Sequence, residues 1–442
     1  MFSVRTFHRL RRILRIAIPV ILQALLDLLA MTVSFFFIGE LGKEVIAALG
    51  AAVTFFMYLF AVSNILNVGT TAIVARKVGA KDWQSASRVL SSMLLATAVL
   101  SIPLSALMFW SRDSFLLLFS LSERALSLAS DYLFIVLWSL PFFLCKIVIA
   151  AAMTANNDAI TPFRIKIFAV GLHVILNSLL IAGNLGFPAL GLMGAAVANL
   201  VVNILESLLI FAALWRSKKA LRLCLCFERN LTLQAFRIGF PTGLERLSTF
   251  ISMTIISSFI AGYGESVFAG YLIGGRIEAF VYMPAFGFTV AAMSLMGQNL
   301  GAHKPYEAKR ITYLTLTLAM SFMGALGLVL ILFPIPISRP FSLDDSVLQS
   351  SSLYLFSIGF SQAFFAMNMV LDGALRGAGA TKITLLVNAL SIWILRIIPA
   401  SVVVFWGGDV WLIYLLMSVE TMLRAFVFWT LFQKGVWHRE AL

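Results

Sequence analysis

Arg15-Ile16-Ala17-Ile18-Pro19 returns 222 residues later as Arg237-Ile238-Gly239-Phe240-Pro241. At the same shift Gly42 becomes Gly264, and Gly79-Ala80 with Ala86 becomes Gly301-Ala302 with Ala308. Tyr132-Leu133-Phe134 and Phe142-Phe143 become Tyr354-Leu355-Phe356 and Phe364-Phe365. The register does not slip, so each half is one copy of a single structural unit. In an apolar chain, a repeat this long points to a transporter whose substrate path lies between two related lobes.

Composition names the solvent. Of 442 residues, 61% are hydrophobic and 12% charged, against about 25% charged in a soluble domain. Apolar runs of bilayer-spanning length, about 20 residues, lie near 15–39, 47–75, 88–110, 127–152, 162–185, 191–216, 240–263, 267–300, 311–335, 350–375, 381–406 and 410–433. The expected fold is an all-α membrane protein, with twelve transmembrane helices in two six-helix repeats around a central cleft. The N-lobe would cover 1–216 (spans 1–6) and the C-lobe 234–442 (spans 7–12), joined by a cytoplasmic linker over 217–233. Arg5 to Arg15 form a basic lead into a full-length span without a small-residue cleavage site, so no cleavable signal peptide is expected.

Lys and Arg crowd into alternate loops: the N-terminus, Arg76/Lys77/Lys81/Arg88, Arg164/Lys166, the linker, Lys304/Lys309/Arg310, Arg376/Lys382 and the C-terminal tail. The intervening loops carry Glu40, Glu44, Glu265, Asp344, Asp345 and Asp409. The positive-inside rule then puts both termini in the cytoplasm, with the chain multi-pass in the cell (inner) membrane. The net charge of +13 is thereby mostly topology, and nucleic acid is not an expected partner. Cys145 lies in span 4, and Cys224 and Cys226 lie in the linker. A C-x-C pair without further Cys or His nearby is a weak metal signal, and two reduced thiols are expected there. No nucleophile elbow, phosphate loop or metal-ligand cluster supports an enzyme, and no cofactor is expected. Pro141 and Pro284, inside spans 4 and 8, each remove a helical hydrogen bond.

Ionisable residues inside the spans are the sharpest functional signal, because a charge at the bilayer centre costs at least about 2.5–3.5 kcal/mol. The acids are Asp27, Glu206, Glu245, Glu278, Asp372 and Glu420; the bases are Lys146, Arg246, Arg276, Arg396 and Arg424, with His173 in span 5. Glu420 and Arg424 are spaced for an i,i+4 ion pair. Arg276 and Glu278, two residues apart, cannot face each other on a helix. Glu245 lies one turn after Pro241, with Thr249 one turn further on the same face. If spans 7 and 10 line one cavity, Asp372 approaches Glu245. Two neighbouring carboxylates raise one pKa and make a site for a proton or a sodium ion.

Several motifs resemble one family. Gly39-Glu40-Leu41-Gly42 with Ala47-Ala48, and Val74-Ala75-Arg76-Lys77-Val78-Gly79-Ala80-Lys81-Asp82, are similar to the first-repeat signature of the multidrug and toxic compound extrusion family. Leu185-Gly186-Phe187-Pro188, Leu190-Gly191 and Gly194-Ala195-Ala196 resemble its stretch between spans 5 and 6. Pro284-Ala285-Phe286-Gly287, Gly297-Gln298-Asn299-Leu300-Gly301-Ala302 and Leu375-Arg376-Gly377-Ala378-Gly379 resemble its second repeat. In order, they cover essentially the whole chain. The resemblance implies cation-driven efflux of amphipathic, often cationic, drugs by alternating access, coupled to H+ or Na+, from a monomer in the lipid bilayer. Some family branches show the same Gly-x-Pro-x-x-x-Glu around Glu245. In the norfloxacin-exporting branch the essential acid falls where this chain has Thr249, about 6 Å deeper along the helix.

The N-lobe departs from that pattern. The acid most members place five residues before the first signature glycine, Gly39, is Ser34 here. The span-5 Asn-x-x-x-Asp of the DNA-damage-inducible branch is His173-x-x-x-Asn177, and that branch's span-6 threonine is Asn199. The family's N-lobe cation site therefore does not carry over. Asp27 shares the face of Ser34, and Lys146, His173, Asn177, Asn203 and Glu206 are polar groups able to turn to the same cavity. Two readings stand: an Asp27–Lys146 pair opened by proton or drug, with His173 titrating near neutral pH, or a permanent structural pair. For the whole chain the alternative to drug efflux is a lipid-linked oligosaccharide or polysaccharide flippase of the same superfamily.

Overall fold

The computed structural model describes residues 4–39, 41–119, 121–216, 221–224 and 226–439. Among them every regular element is helical. The first half contains α1 (Val4–Gly39), α2 (Lys43–Gly79), α3 (Trp83–Leu116), α4 (Glu123–Leu137), α5 (Leu140–Ala155), α6 (Ile160–Ala182) and α7 (Leu192–Arg216). The second contains α8 (Arg229–Ala261), α9 (Glu265–Gly301), α10 (Pro305–Leu332), the short α11 (Pro334–Ser338), α12 (Asp345–Gly359), α13 (Gln362–Ala378), α14 (Thr381–Leu390), a π-helical stretch Ser391–Ile397, α15 (Ile398–Phe405), α16 (Val410–Gln433) and α17 (Val436–Arg439). Ten helices are long and apolar enough to cross a membrane, or up to twelve if each of two bent pairs is one span.

The sequence repeat is also a backbone repeat. Gly42 and Gly264, 222 residues apart, open α2 and α9 at φ 105° and 114°, a region open to glycine at little cost. Lys81 and His303 share a left-handed φ, 59° and 56°, after α2 and α9. Asn157 and Gly379 do the same after α5 and α13, at 61° and 92°. Spans 4 and 10, each expected as one span, with Pro141 marking a kink in the first of them, are each broken: α4–α5 by 50° and α12–α13 by 53°. A proline is not required for such a break. Pro141 stands in the first turn of α5, where its missing N–H is not needed, and the matching break before α13 has Ala363 at that position.

Contacts group the chain into two compact units, Leu22–Gly243 and Met1–Ile21 with Leu244–Leu442. The division therefore falls inside α1 and α8, and not in the linker as the sequence reading places it. Close packing explains the placement. In the second unit Gly287 of α9 leaves room for the Ala17 backbone of α1, where a Cβ would collide with the carbonyl. In the first unit the same pair is reversed: Gly239 of α8 leaves room for the Ile65 backbone of α2. Ile13, Ile16 and Ala17 are fully buried in a core built from α9, α10, α13 and α16. The first unit has its own core around Ile38, Phe55, Leu116, Tyr132 and Leu133.

The described part of the linker is strapped along α3. Ser87, Ser91 and Ser92 accept the backbone N–H groups of Arg222, Cys224 and Glu228 at 3.0, 2.9 and 2.9 Å, and Arg88 pairs with Glu228 at 2.8 Å. The Cys224 and Cys226 side chains lie side by side, their Cα atoms 5.3 Å apart.

Candidate functional site

In the first unit the polar groups of five helices form one chain. Asn199, Asn203 and Glu206 lie on one face of α7, spaced by a helical turn. The Tyr132 hydroxyl of α4 is hydrogen-bonded to Asn199, and Asn203 Nδ2 donates to Asn199 Oδ1 at 2.5 Å. Lys146 on α5 donates to Asn203 Oδ1 at 2.7 Å and to Glu206 Oε2 at 2.6 Å. Lys166 on α6 bridges Glu206 Oε1 at 2.7 Å and Asp27 Oδ1 of α1 at 3.1 Å. Two acids thus balance two lysines. Glu206 and both lysine side chains are 10–15% exposed, whereas Asp27 is 62% exposed. Of the expected residues, Asp27, Lys146, Asn199, Asn203 and Glu206 come together. The expected Asp27–Lys146 pair does not form: Lys146 belongs to Glu206, and Asp27 to Lys166.

Lys166 is the residue the sequence reading misses. It was counted among cytoplasmic loop cations, yet it lies on α6, within helical reach of the cluster. Its repeat partner, Asn388, is 222 residues on, and both direct a nitrogen at an acid on the first helix of their half: Asp27 on α1, Glu245 on α8. His173, two turns beyond Lys166, is half-buried and stands outside the hydrogen-bonded chain. Asn177 is fully buried and donates to Ser34 Oγ at 2.9 Å, a separate contact.

In the second unit Glu245 and Asp372 come together as expected, with Arg376 between them. Arg376 Nη2 lies 2.7 Å from Glu245 Oε1 and 2.6 Å from Asp372 Oδ2. Asp372 and Arg376 are one turn apart on α13, the spacing that would have revealed the arginine as a site residue. Asn388 Nδ2 also donates to Glu245 Oε1, at 2.8 Å. Arg424 Nη1 reaches Asn388 Oδ1 at 3.3 Å, and its Nε lies 3.2 Å from Glu420 Oε1, the i,i+4 pair expected on α16. Glu420, fully buried, also takes Arg396 Nη2 at 2.5 Å and the Ser391 hydroxyl at 2.6 Å. Both of these partners sit on the π-helical stretch, which has no counterpart in α6. Three acids and three arginines therefore form a neutral network. Glu245 Oε2 and Asp372 Oδ1 accept no hydrogen bond from a described residue.

Two expected residues lie elsewhere. Thr249 spends its hydroxyl on the Glu245 backbone carbonyl at 2.9 Å and does not reach the carboxylates. Glu278 forms its own site: Tyr354 OH donates to Oε2 at 2.5 Å and Gln362 Nε2 to Oε1 at 3.4 Å. Tyr354 is packed edge-on against Tyr271 and Tyr414, with ring centroids 5.2 and 5.1 Å apart.

Known proteins match along nearly the whole chain. The probable multidrug resistance protein NorM of Thermotoga maritima is 25% identical over 435 residues, 98% of this chain and 94% of that one. The multidrug export protein MepA of Staphylococcus haemolyticus is 23% identical over 436 residues, 95% of this chain and 93% of its own. A solved structure of a MOP superfamily transporter from Pyrococcus furiosus has the same fold, with a TM-score of 0.90 at 21% identity over 97% of this chain and 96% of that chain. The helices and these likenesses make the chain a multi-pass membrane protein. The sequence profile of the MatE family matches residues 19–179 and 241–402, the two repeats in register; the chain belongs to the MATE family of transporters.

Proposed function

We propose that this chain is a secondary active multidrug exporter of the cell (inner) membrane, with both termini cytoplasmic. It would expel amphipathic, cationic compounds in exchange for H+ or Na+ by alternating access. The observation that carries this reading is the shared guanidinium of Glu245 and Asp372. Two acids, Asp372 buried and Glu245 partly so, hold one counter-cation, and each keeps an oxygen without a donor. Such a pair takes up one more positive charge at modest cost and releases it when a cationic substrate or a conformational change alters its surroundings. The names of the relatives, multidrug resistance and multidrug export proteins, support the substrate class.

The energetics suffice. Exchange of one proton for one monovalent cation is electroneutral, so only the pH gradient drives it, at about 1.4 kcal/mol per unit. That sustains about a tenfold drug gradient per pH unit. The test is ethidium efflux from proteoliposomes under a pH or a sodium gradient, with Glu245→Gln, Asp372→Asn and Asp27→Asn beside the wild type. Efflux that follows one gradient and is lost in Glu245→Gln or Asp372→Asn supports a coupling site in the second unit. Loss only in Asp27→Asn moves coupling to the first. No efflux under either gradient sinks the drug reading for that dye and favours the flippase.

A further inference from the structure

We infer that Arg376 makes the Glu245–Asp372 pair a proton site that rejects sodium. This rests on the exchange reading above and fixes its counter-ion. One nitrogen, Arg376 Nη2, contacts both carboxylates, at 2.7 and 2.6 Å. The guanidinium already stands where a cation shared by the two acids would sit.

The remaining neighbours are also of the wrong kind for a metal ion. A hard cation is held by several oxygen lone pairs, and apart from the Thr384 hydroxyl beside Asp372 what faces these acids is N–H. Asn388 is fixed with its amide nitrogen toward Glu245, because its oxygen is taken by Arg424 from α16. Arg424 is itself tied to Glu420, which holds Arg396 on its other side. On α8 the next residue is another cation, Arg246, whose guanidinium lies 5.0 Å from the centre of the Phe250 ring; Tyr282 of α9 is the titratable group near it. Among the described residues no third Asp, Glu, His or Cys joins the pair to make a metal-ligand group. A proton needs one lone pair and no coordination shell, and Glu245 Oε2 and Asp372 Oδ1 each offer one without a donor.

The inference is tested by binding, separately from transport. The detergent-purified full chain is unfolded thermally in NaCl and in choline chloride of equal ionic strength, as wild type and as Arg376→Gln. The expected result is no sodium-specific rise of the midpoint in the wild type and a clear rise in Arg376→Gln, where two carboxylates face each other without the guanidinium. A sodium-specific rise in the wild type that disappears in Glu245→Gln overturns the inference. So does a folded Arg376→Gln that ignores sodium. Should that variant not fold, carbodiimide labelling of Glu245 in the wild type decides. Labelling that falls with rising pH and ignores sodium supports the proton site, and protection by sodium overturns it. Neither readout depends on drug movement, so failure of the exporter reading would show only in the efflux assay.

Discussion

Lys166 and Glu206 meet at 2.7 Å between α6 and α7, and Glu206 is at the same time the carboxylate of Lys146. One acid thus holds two lysines whose side chains are 11% and 15% exposed. Glu206→Gln would leave Lys146 without an anion and Lys166 with only the exposed Asp27. Breaking a buried pair from one side costs about 3–5 kcal/mol, and that loss is expected in denaturant unfolding. Adding Lys146→Met to Glu206→Gln should recover part of it. A single variant within about 0.5 kcal/mol of wild type would mean that the lysines are satisfied by other means.

Tyr354 and Tyr414 provide a matched pair of hydroxyl deletions. Tyr354 OH donates to the half-buried Glu278, whereas Tyr414 OH has no described hydrogen-bond partner. Tyr354→Phe keeps the ring but leaves the carboxylate short of a donor, at a cost of about 1–3 kcal/mol. Tyr414→Phe should be neutral or slightly stabilising. Equal effects in thermal unfolding would contradict the assignment of the Glu278 partner.

Gly377 sets the approach of α13 to α9. A Cβ there would run into the backbone of Met293, which cannot retreat as a flexible side chain can. Gly377→Ala is expected to destabilise by about 1–3 kcal/mol, the range for overpacking. Gly50 in α2 has open space around the added carbon, so Gly50→Ala should be neutral or gain up to about 1 kcal/mol from the helix preference for alanine. Similar melting temperatures for the two variants would argue against tight α9–α13 packing.

Asp82 caps α3, its Oδ1 accepting the Ser85 N–H at 3.0 Å. Hydrogen bonds from the Ser85 side chain and N–H hold its carboxyl below the usual aspartate range. A depressed folded pKa means that the ionised form stabilises the fold. The contribution is fully present above the unfolded value, about 3.9, and is lost as pH falls through the lower folded value. Asp82→Ala should therefore cost about 0.5–2 kcal/mol at neutral pH, and the gap to wild type should close in acid. A gap independent of pH would show that the cap does not act through its charge.

The repeat made much of the fold readable, because spans, helix starts and left-handed turns recur at one fixed offset. The breaks inside spans 4 and 10 were not readable: both helical halves are apolar, and the proline that drew attention stands beyond the break. At the site, acids were legible because a carboxylate in an apolar run has no structural excuse. Lys166 was not, whereas Arg376 was betrayed only by its i,i+4 spacing from Asp372. Near a helix end a cation reads equally well as a headgroup anchor or as a buried partner, and only packing against helices distant in sequence decides. The same ambiguity explains the Asp27–Lys146 expectation, which had the right residues in the wrong pairs.

The division of α1 between the two units imposes an order on synthesis. Ile13, Ile16 and Ala17 are made well before parts of the core that buries them, which includes Ala285, Met367 and Phe428. The first half of α1 therefore has no complete core until α16 has been made. The unit over Leu22–Gly243, by contrast, has every one of its segments as soon as α8 is half translated. Residues 13–17 are thus made before the unit over Leu22–Gly243 and find their place after it.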